Sequence, residues 1–226
     1  TIIISGYNLI CGMLAAITFA LLLNEIPNGL FKKFTQTVVY LPHFLSWVVV
    51  ASIFAMLLSP DSGIVNEIIK HFGGKPIYFF ISTRWWRTIF VLINLWKGTG
   101  WAAIIYLAAL AGVDPQLYEA AAIDGAGRLK QTWHITLPAI QSTILVVFIL
   151  NLAKILNIFH PVFLMYNPQV YPVADVIDTY TYRLGFTSAS DVDLATAVGL
   201  FKSVICLILV LITNYLSKKI KGEKIL

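Results

Sequence analysis

Three lysines interrupt long apolar stretches of this sequence: Lys97, Lys154 and Lys202. Ionisable groups inside a bilayer are costly, and those that occur usually face a cavity or a partner. The apolar stretches contain no deeply placed carboxylate that could pair with these lysines. Each lysine therefore either extends to the membrane surface or binds backbone carbonyls, or it lines a polar path for a solute. Both alternatives stay open for Lys202, whereas the second is favoured for Lys154.

Amide side chains accompany two of these lysines and extend the hypothesis of a polar path. The candidate path residues are Asn94, Lys97, Asn151, Lys154 and Asn157. The spacing of three between the last three places them roughly on one side of a helix. Amides form hydrogen bonds with hydroxyl groups such as those of a sugar. Ammonium groups also suit an anionic solute, so an acidic sugar is a further possibility.

The sequence contains no constellation that predicts catalysis. No GxxxxGK[ST] run is present to bind the phosphates of ATP, and the histidines lack metal-ligand spacing. No pair of buried carboxylates is placed for acid–base chemistry. We interpret four aspartates, at positions 175, 178, 191 and 193, as part of a solvated surface. We therefore predict no catalytic residue, no metal site and no cofactor bound by this chain.

The composition predicts an all-α integral membrane protein. Of the 226 residues 58% are hydrophobic and 12% are charged, whereas soluble domains carry about 25% charged residues. The net charge of +5 does not call for a nucleic-acid partner, because the position of the charges along the chain matters more than their sum. Lipid is the surrounding medium that this composition requires.

Five apolar runs are long enough for membrane spans, which need about 20 residues. The predicted spans cover residues 2–23, 38–58, 88–111, 139–159 and 194–216 of a single transmembrane domain, 1–226. Apolar residues at helical spacing between 64 and 72 predict a short amphipathic helix outside the spans.

Lysine and arginine in the connections predict the orientation, since they are enriched on the cytoplasmic side. The segments 24–35, 112–138 and 217–226 carry eight of them. The segments 59–87 and 160–193 carry five over a greater length. We therefore expect the 112–138 loop and the C-terminus in the cytoplasm and Thr1 outside, which implies a further span before Thr1.

The loop at 112–138 has a specific pattern of its own. Asp114 followed by Pro115 predicts a helix start, and Gly125 predicts its end. Arg128 to Thr136 predicts a second short helix. Alanines beside Glu119 form a surface that another protein can approach closely, with one charge available for pairing.

This loop resembles the signature of membrane permeases of binding-protein-dependent ABC importers. The matching residues are Glu119, Ala120, Ala121, Asp124, Gly125, Ile135, Leu137 and Pro138. The resemblance implies the transmembrane domain of a type I ABC importer with six spans, of which five are visible. It also implies that the 112–138 loop couples this chain to a cytoplasmic ATPase.

The resemblance further implies the partners. They are a second permease subunit in a heterodimer, two ATPase subunits that hold ATP and Mg, and an extracytoplasmic solute-binding protein in a bacterial cytoplasmic membrane. The stretches LPHFLSWVVVASIFAMLL (41–58) and DLATAVGLFKSVICLILVL (193–211) resemble the carbohydrate-uptake branch and its oligosaccharide permeases. The alternatives are an ABC permease for another solute and, in a different class, an ATPase-independent channel or a membrane-embedded enzyme.

Overall fold

The described part of the chain consists of helices and their connections. A computed structural model describes residues 1–27, 29–186 and 191–221, with side chains as far as residue 215. The α-helices are α1 (Ile2–Glu25), α2 (Leu30–Tyr40), α3 (Trp47–Leu57), α4 (Ile64–His71), α5 (Trp86–Leu110), α6 (Pro115–Ile123), α7 (Arg128–Gln131), α8 (Leu137–Ala153), α9 (Phe159–Met165), α10 (Tyr171–Ala174), α11 (Ile177–Phe186) and α12 (Val192–Lys221). Leu41–Phe44 and Pro168–Val170 are 3₁₀ turns, and Thr132–Thr136 is a π turn.

Four helical runs within the described residues are long and apolar enough to cross a membrane: Ile2–Glu25, Trp86–Leu110, Arg128–Ala153 and Val192–Tyr215. Each has 24 to 26 residues. At 1.5 Å per residue they are about 36–39 Å long, more than the hydrocarbon core of about 30 Å. They correspond to the runs expected at 2–23, 88–111, 139–159 and 194–216, although the third begins and ends earlier in the chain than expected.

The run expected as a span at 38–58 is interrupted by a sharp bend. The helical segments Leu30–Phe44 and Trp47–Leu57 meet at an angle of 102°, so together they form at most one broken span. Ser46 has an extended backbone, and its side chain accepts a hydrogen bond from the Val49 amide at 3.3 Å. This N-cap starts a new helix in a new direction, which hydropathy averaged over a window cannot detect.

Small residues allow helices α1 and α5 to approach each other closely. Ala16 and Ala20 of α1 are buried together with Ala103 and Tyr106 of α5. Close approach through small side chains is the usual way in which helices associate in lipid. Ile140 and Val147 of α8 belong to the same cluster.

The two ends of the bundle are called the Thr1 end and the Glu25 end, after the residues at the two ends of α1. At the Thr1 end, the Thr1 hydroxyl accepts a hydrogen bond from the Ile177 amide at 2.8 Å. The buried indole of Trp86 donates to the Met165 carbonyl there at 3.0 Å. At the Glu25 end, Glu25 forms an ion pair with Arg128, which places α6 and α7 at that end.

The connection between α3 and α5 contains the amphipathic helix expected at 64–72, observed as α4. Asn66 of α4 is fully buried, and its amide nitrogen lies 3.0–3.1 Å from the carbonyl oxygens of Leu58, Ser59 and Ile77. Its side-chain oxygen accepts from the Ile77 amide at 2.7 Å. One asparagine therefore joins α4 to the residues just after α3 and to the chain near Ile77.

Candidate functional site

A polar cleft of about 280 Å³ lies between α1, α5 and the end of α8. Its polar lining residues are Ser5, Asn8, Asn94, Thr99, Tyr106, Asn151 and Lys154. Apolar and small residues of the three helices and of the segment just after α8 form the rest of the wall. The cleft therefore combines a narrow apolar wall with hydrogen-bonding groups, as small-molecule sites do.

Three buried polar atoms in this cleft have no hydrogen-bond partner among the described residues: Ser5 Oγ, Asn8 Oδ1 and the Tyr106 hydroxyl. Ser5 is 2% exposed and Tyr106 is fully buried. Leaving a buried donor or acceptor unsatisfied costs about 1–3 kcal/mol, so such groups are usually paired with protein or water. Three of them lining one cleft indicate that water or a solute completes their hydrogen bonds.

The sequence did not single out these three residues. Ser5 and Asn8 are uncharged and three residues apart in an apolar helix, and their common face is the only local signal that marks them. Tyr106 is an ordinary aromatic residue of α5. Its role in the wall depends on which helix packs opposite it.

Of the five residues predicted for a solute path, the structure brings three together. Asn94, Asn151 and Lys154 line the cleft, whereas Lys97 and Asn157 do not. Asn157 lies beyond the end of α8 at Ala153, so the helical spacing that grouped it with Asn151 no longer applies.

Lys97 instead binds backbone carbonyls. Its ammonium group donates to the oxygens of His43 and Leu45, both at 2.7 Å, and to that of Pro42 at 3.3 Å. It also lies 5.3 Å from the centre of the Trp47 ring. Carbonyls at the end of a helix have no partner within it, and Lys97 supplies one at the break between α2 and α3. The carbonyl-binding alternative is the one observed.

The loop at the Glu25 end presents a helix with no buried residue, α6. The Asp114 side chain accepts from the Gln116 amide at 2.9 Å, and Pro115 occupies the first turn, as predicted for the helix start. Gly125 ends the helix with φ = +75°, a conformation that glycine adopts without steric cost. Glu119 is exposed and has no ion pair among the described residues.

The loop expected to extend to Pro138 continues without a break into the helix that follows it. Arg128–Ala153 is one helical run of 26 residues, so Ile135, Leu137 and Pro138 belong to the same rod as the span. Pro138 lacks an N–H to donate to the carbonyl four residues earlier, and the π turn Thr132–Thr136 precedes it. A turn of this kind adapts the helix to the proline without breaking it.

Two side-chain contacts connect the exposed helix to this rod. The Tyr118 hydroxyl of α6 lies 3.0 Å from Thr136 Oγ1 of the π turn. Gln131 Nε2 donates to the Ala126 carbonyl at 2.9 Å, which closes the turn after α6. A displacement of α6 would therefore be passed to the span by direct contact.

The comparisons with known proteins agree with this geometry. Residues 8–222 match the family model of the binding-protein-dependent transport system inner membrane component. The chain belongs to this family. As a relative, the polygalacturonan/rhamnogalacturonan transport system permease protein YteP of Bacillus subtilis is 47% identical over the whole chain, which spans 70% of YteP. Protein LplB of the same organism is 44% identical over 99% of the chain and 70% of its own length.

Solved structures agree with the family assignment. A bacterial ABC transporter involved in the import of the acidic polysaccharide alginate has 42% identity and a TM-score of 0.92, covering 97% of this permease and 77% of its own chain. The bacterial alginate ABC transporter in complex with an alginate pentasaccharide-bound periplasmic protein has 41% identity and a TM-score of 0.94, with 99% and 78% covered. The fold is therefore the all-α transmembrane domain of a type I ABC importer, as predicted.

The third lysine of the permease's spans, Lys202, is paired with a carboxylate. It lies 2.5 Å from Asp178 of α11, with the two side chains 16% and 20% exposed. Asp175 binds both terminal nitrogens of Arg183, at 2.9 and 2.5 Å. The expectation that the aspartates at 175 and 178 belong to a solvated surface is therefore wrong, because α11 folds them against basic residues.

The environment of Asp175 stabilises its charged form. Burial acts to raise the pKa of this carboxyl, but hydrogen bonds from Arg183 and Thr179 outweigh it and hold the pKa below its ordinary value. In the part of the permease that the structure describes, no three His, Cys, Asp or Glu residues are grouped so as to hold a metal ion. The two ion pairs at this end join α11 to α12 and to the segment just before α11.

Proposed function

We propose that this permease forms part of the translocation path of an ATP-driven importer for a sugar or oligosaccharide. The observation that carries this proposal is helix α6, which is capped by Asp114 and has no buried residue, at one end of a bundle that holds a polar cleft. A partner protein that binds an exposed helix joined to a span can move that span. The carbohydrate is proposed because the relatives are named for polygalacturonan and alginate transport.

The partners follow from the family. A second permease subunit pairs with this one as a heterodimer, two cytoplasmic ATPase subunits bind ATP with Mg and hydrolyse it, and an extracytoplasmic binding protein delivers the solute. The permease itself is not an enzyme in this proposal. The alginate transporter in complex with its periplasmic protein supports the assignment of the delivering partner.

The coupling residues act at the surface of α6. Glu119 pairs with a basic residue of the ATPase, and Ala120 and Ala121 let the ATPase surface approach the helix backbone. Leu117 and Ile123, which are 50% and 88% exposed, add apolar contact area. Asp124 and Gly125 form the turn that directs the chain back to the rod.

The rod transmits the movement. Ile135, Leu137 and Pro138 lie on the continuous run Arg128–Ala153, which reaches from the α6 loop to the cleft at Asn151. Because the helical run is unbroken, we expect it to move as one body. Closure of the ATPase dimer would tilt the rod, and the cleft would open to one side of the membrane or the other.

The orientation completes the proposal. The Glu25 end and the C-terminus lie in the cytoplasm, and the Thr1 end faces outward. Basic residues of the α2 region and of the α6–α7 loop support this placement, since Lys32, Lys33, Arg128 and Lys130 belong to connections at the Glu25 end. The basic segment at 217–226 supports it by sequence, although its side chains lie outside the described residues.

Co-purification followed by an assay of ATP hydrolysis tests this proposal. The chain is extracted from its native membrane in mild detergent, and the recovered proteins are quantified by mass spectrometry. We expect a second permease in equal amount, a P-loop ATPase in twice that amount, and ATP hydrolysis that rises when a sugar-loaded binding protein is added. Recovery of the chain alone, without nucleotide-dependent activity, would favour a self-contained channel or a membrane enzyme.

A further inference from the structure

We propose that the cleft between α1, α5 and α8 binds an acidic sugar unit and that Lys154 binds its carboxylate. This inference rests on the proposed function and adds the charge of the substrate and the residue that recognises it. The structural basis is the combination of one uncompensated ammonium group with several unpartnered hydrogen-bonding groups in the same cleft.

The charge of the cleft comes from Lys154. The other two lysines of the spans are occupied, because Lys97 binds three carbonyls and Lys202 binds Asp178. The Lys154 side chain has no ionic or hydrogen-bond partner among the described residues, and it lines the cleft. No aspartate or glutamate belongs to the described lining. A cation in such a wall favours an anionic solute group over a neutral one.

The uncharged groups of the cleft match hydroxyl groups. Ser5 and Tyr106 present hydroxyls, which can donate and accept, and Asn8 presents an amide oxygen, which accepts. A sugar ring carries hydroxyls that act in both ways, so it can complete all three sets of hydrogen bonds. A fatty or purely ionic solute would leave them unsatisfied.

The size of the cleft limits how much of a saccharide it holds. Its volume of about 280 Å³ is at the lower end of the range of small-molecule sites, about 300–1,000 Å³. A space of this size accommodates a ring-sized unit better than an extended chain. We therefore expect an acidic oligosaccharide to place one unit in this cleft while the remainder extends toward the second permease.

Lysine substitution with a matched pair of ligands tests the inference directly. The purified complex of both permeases with the ATPases, without binding protein, is titrated calorimetrically with trigalacturonate and with its fully methyl-esterified form. The two ligands share rings and hydroxyls and differ in charge. The wild-type complex should bind the acid about tenfold or more tightly, because a hydrogen bond to a charged group contributes about 1.5–3 kcal/mol.

The variants separate charge recognition from folding. Lys154→Gln should abolish the preference for the acid by weakening its binding about tenfold or more, whereas Lys154→Arg should retain the preference. Lys75→Gln, at an exposed lysine outside the cleft, is the matched control and should behave as wild type. Tyr106→Phe should weaken the binding of both ligands by a similar factor, since it removes only a hydroxyl.

The outcomes distinguish this inference from the proposed function. If Lys154→Gln keeps the acid preference, or if neither ligand binds a complex that still imports saccharide in vesicles, the inference is overturned and the proposed function stands. If the complete importer with its binding protein takes up neither saccharide when ATP is supplied, the proposed function itself fails for this class of solute.

Discussion

The ion pairs at the Thr1 end of the bundle are partly buried, whereas the charged residues at the Glu25 end are exposed. At the Thr1 end, Asp175 pairs with Arg183 and Asp178 pairs with Lys202, both at side chains about a fifth exposed. At the Glu25 end, α6 has no buried residue, and Glu119 has no ion pair among the described residues. At the Thr1 end, the chain supplies partners for these charged groups. At the Glu25 end, α6 exposes a carboxylate and apolar side chains that another protein can contact.

This difference has an energetic consequence. Removing one member of a partly buried pair leaves the other charge desolvated and weakens the fold. Changing an exposed residue that no neighbour contacts has little effect on stability, and surface substitutions usually stay within about 0.5 kcal/mol. Substitutions in the two partly buried ion pairs of the Thr1 end should therefore reduce stability, and those of exposed residues on α6 should reduce transport alone.

The largest effect is expected for Glu119→Lys. Reversal of the charge on the docking surface places like charges together, which costs several kcal/mol at an interface. ATP-driven uptake of labelled oligosaccharide in proteoliposomes should fall at least about tenfold, while the unfolding temperature of the purified permease stays the same. Glu67→Lys on α4 reverses an exposed carboxylate that pairs with Lys70; because surface pairs contribute only about 0–1 kcal/mol, this control should retain uptake. Unchanged uptake by Glu119→Lys would remove the coupling role from α6.

A smaller effect, on stability, is expected for Asp175→Asn. The pair with Arg183 is intermediate between surface and buried pairs, so its loss should cost about 1–3 kcal/mol at neutral pH. Thermal unfolding in detergent, followed by fluorescence, measures the change. Asp61→Asn, at an exposed aspartate, should leave the unfolding temperature unchanged.

The Asp175 carboxyl should also make the stability of the fold depend on pH. Because its pKa is lower in the folded state than the ordinary 3.8, the unfolded chain binds the proton more readily. The stabilisation by Asp175 is therefore complete above about pH 4 to 5 and is lost as the pH falls through the lower, folded-state pKa. Wild type should lose more stability than Asp175→Asn on acidification below pH 4; equal losses would assign the acid sensitivity to other groups.

The smallest effect is expected for Tyr118→Phe. It removes the hydrogen bond to Thr136 and keeps the ring, so α6 stays folded but is less firmly joined to the rod. A hydrogen bond contributes about 0.5–1.5 kcal/mol net, and its loss changes the equilibrium between joined and separated α6 about two- to tenfold. We expect fewer sugar molecules transported per ATP hydrolysed, measured in the same vesicles. Tyr78→Phe at the Thr1 end is the control, and an unaltered ratio in Tyr118→Phe would show that the contact carries no coupling.

Local features of this permease were predictable from the sequence. The long helices follow from apolar runs, α4 follows from its helical period, and the ends of α6 follow from Asp114, Pro115 and Gly125. Each of these depends on residues a few positions apart, so a window of the sequence contains the physical cause. The coupling residues were named by resemblance, and their role stays a prediction.

The tertiary structure alone decided which polar groups meet. Lys97 reaches carbonyls more than 50 positions earlier in the chain, and Lys202 reaches Asp178 at a separation of 24. The same packing separates Asn157 from the cleft and adds Ser5 and Tyr106 to it. A lysine in an apolar run has the same local sequence signal whether it binds carbonyls, a carboxylate or a solute. Only the helix packed opposite it determines which of these partners lies within hydrogen-bonding distance.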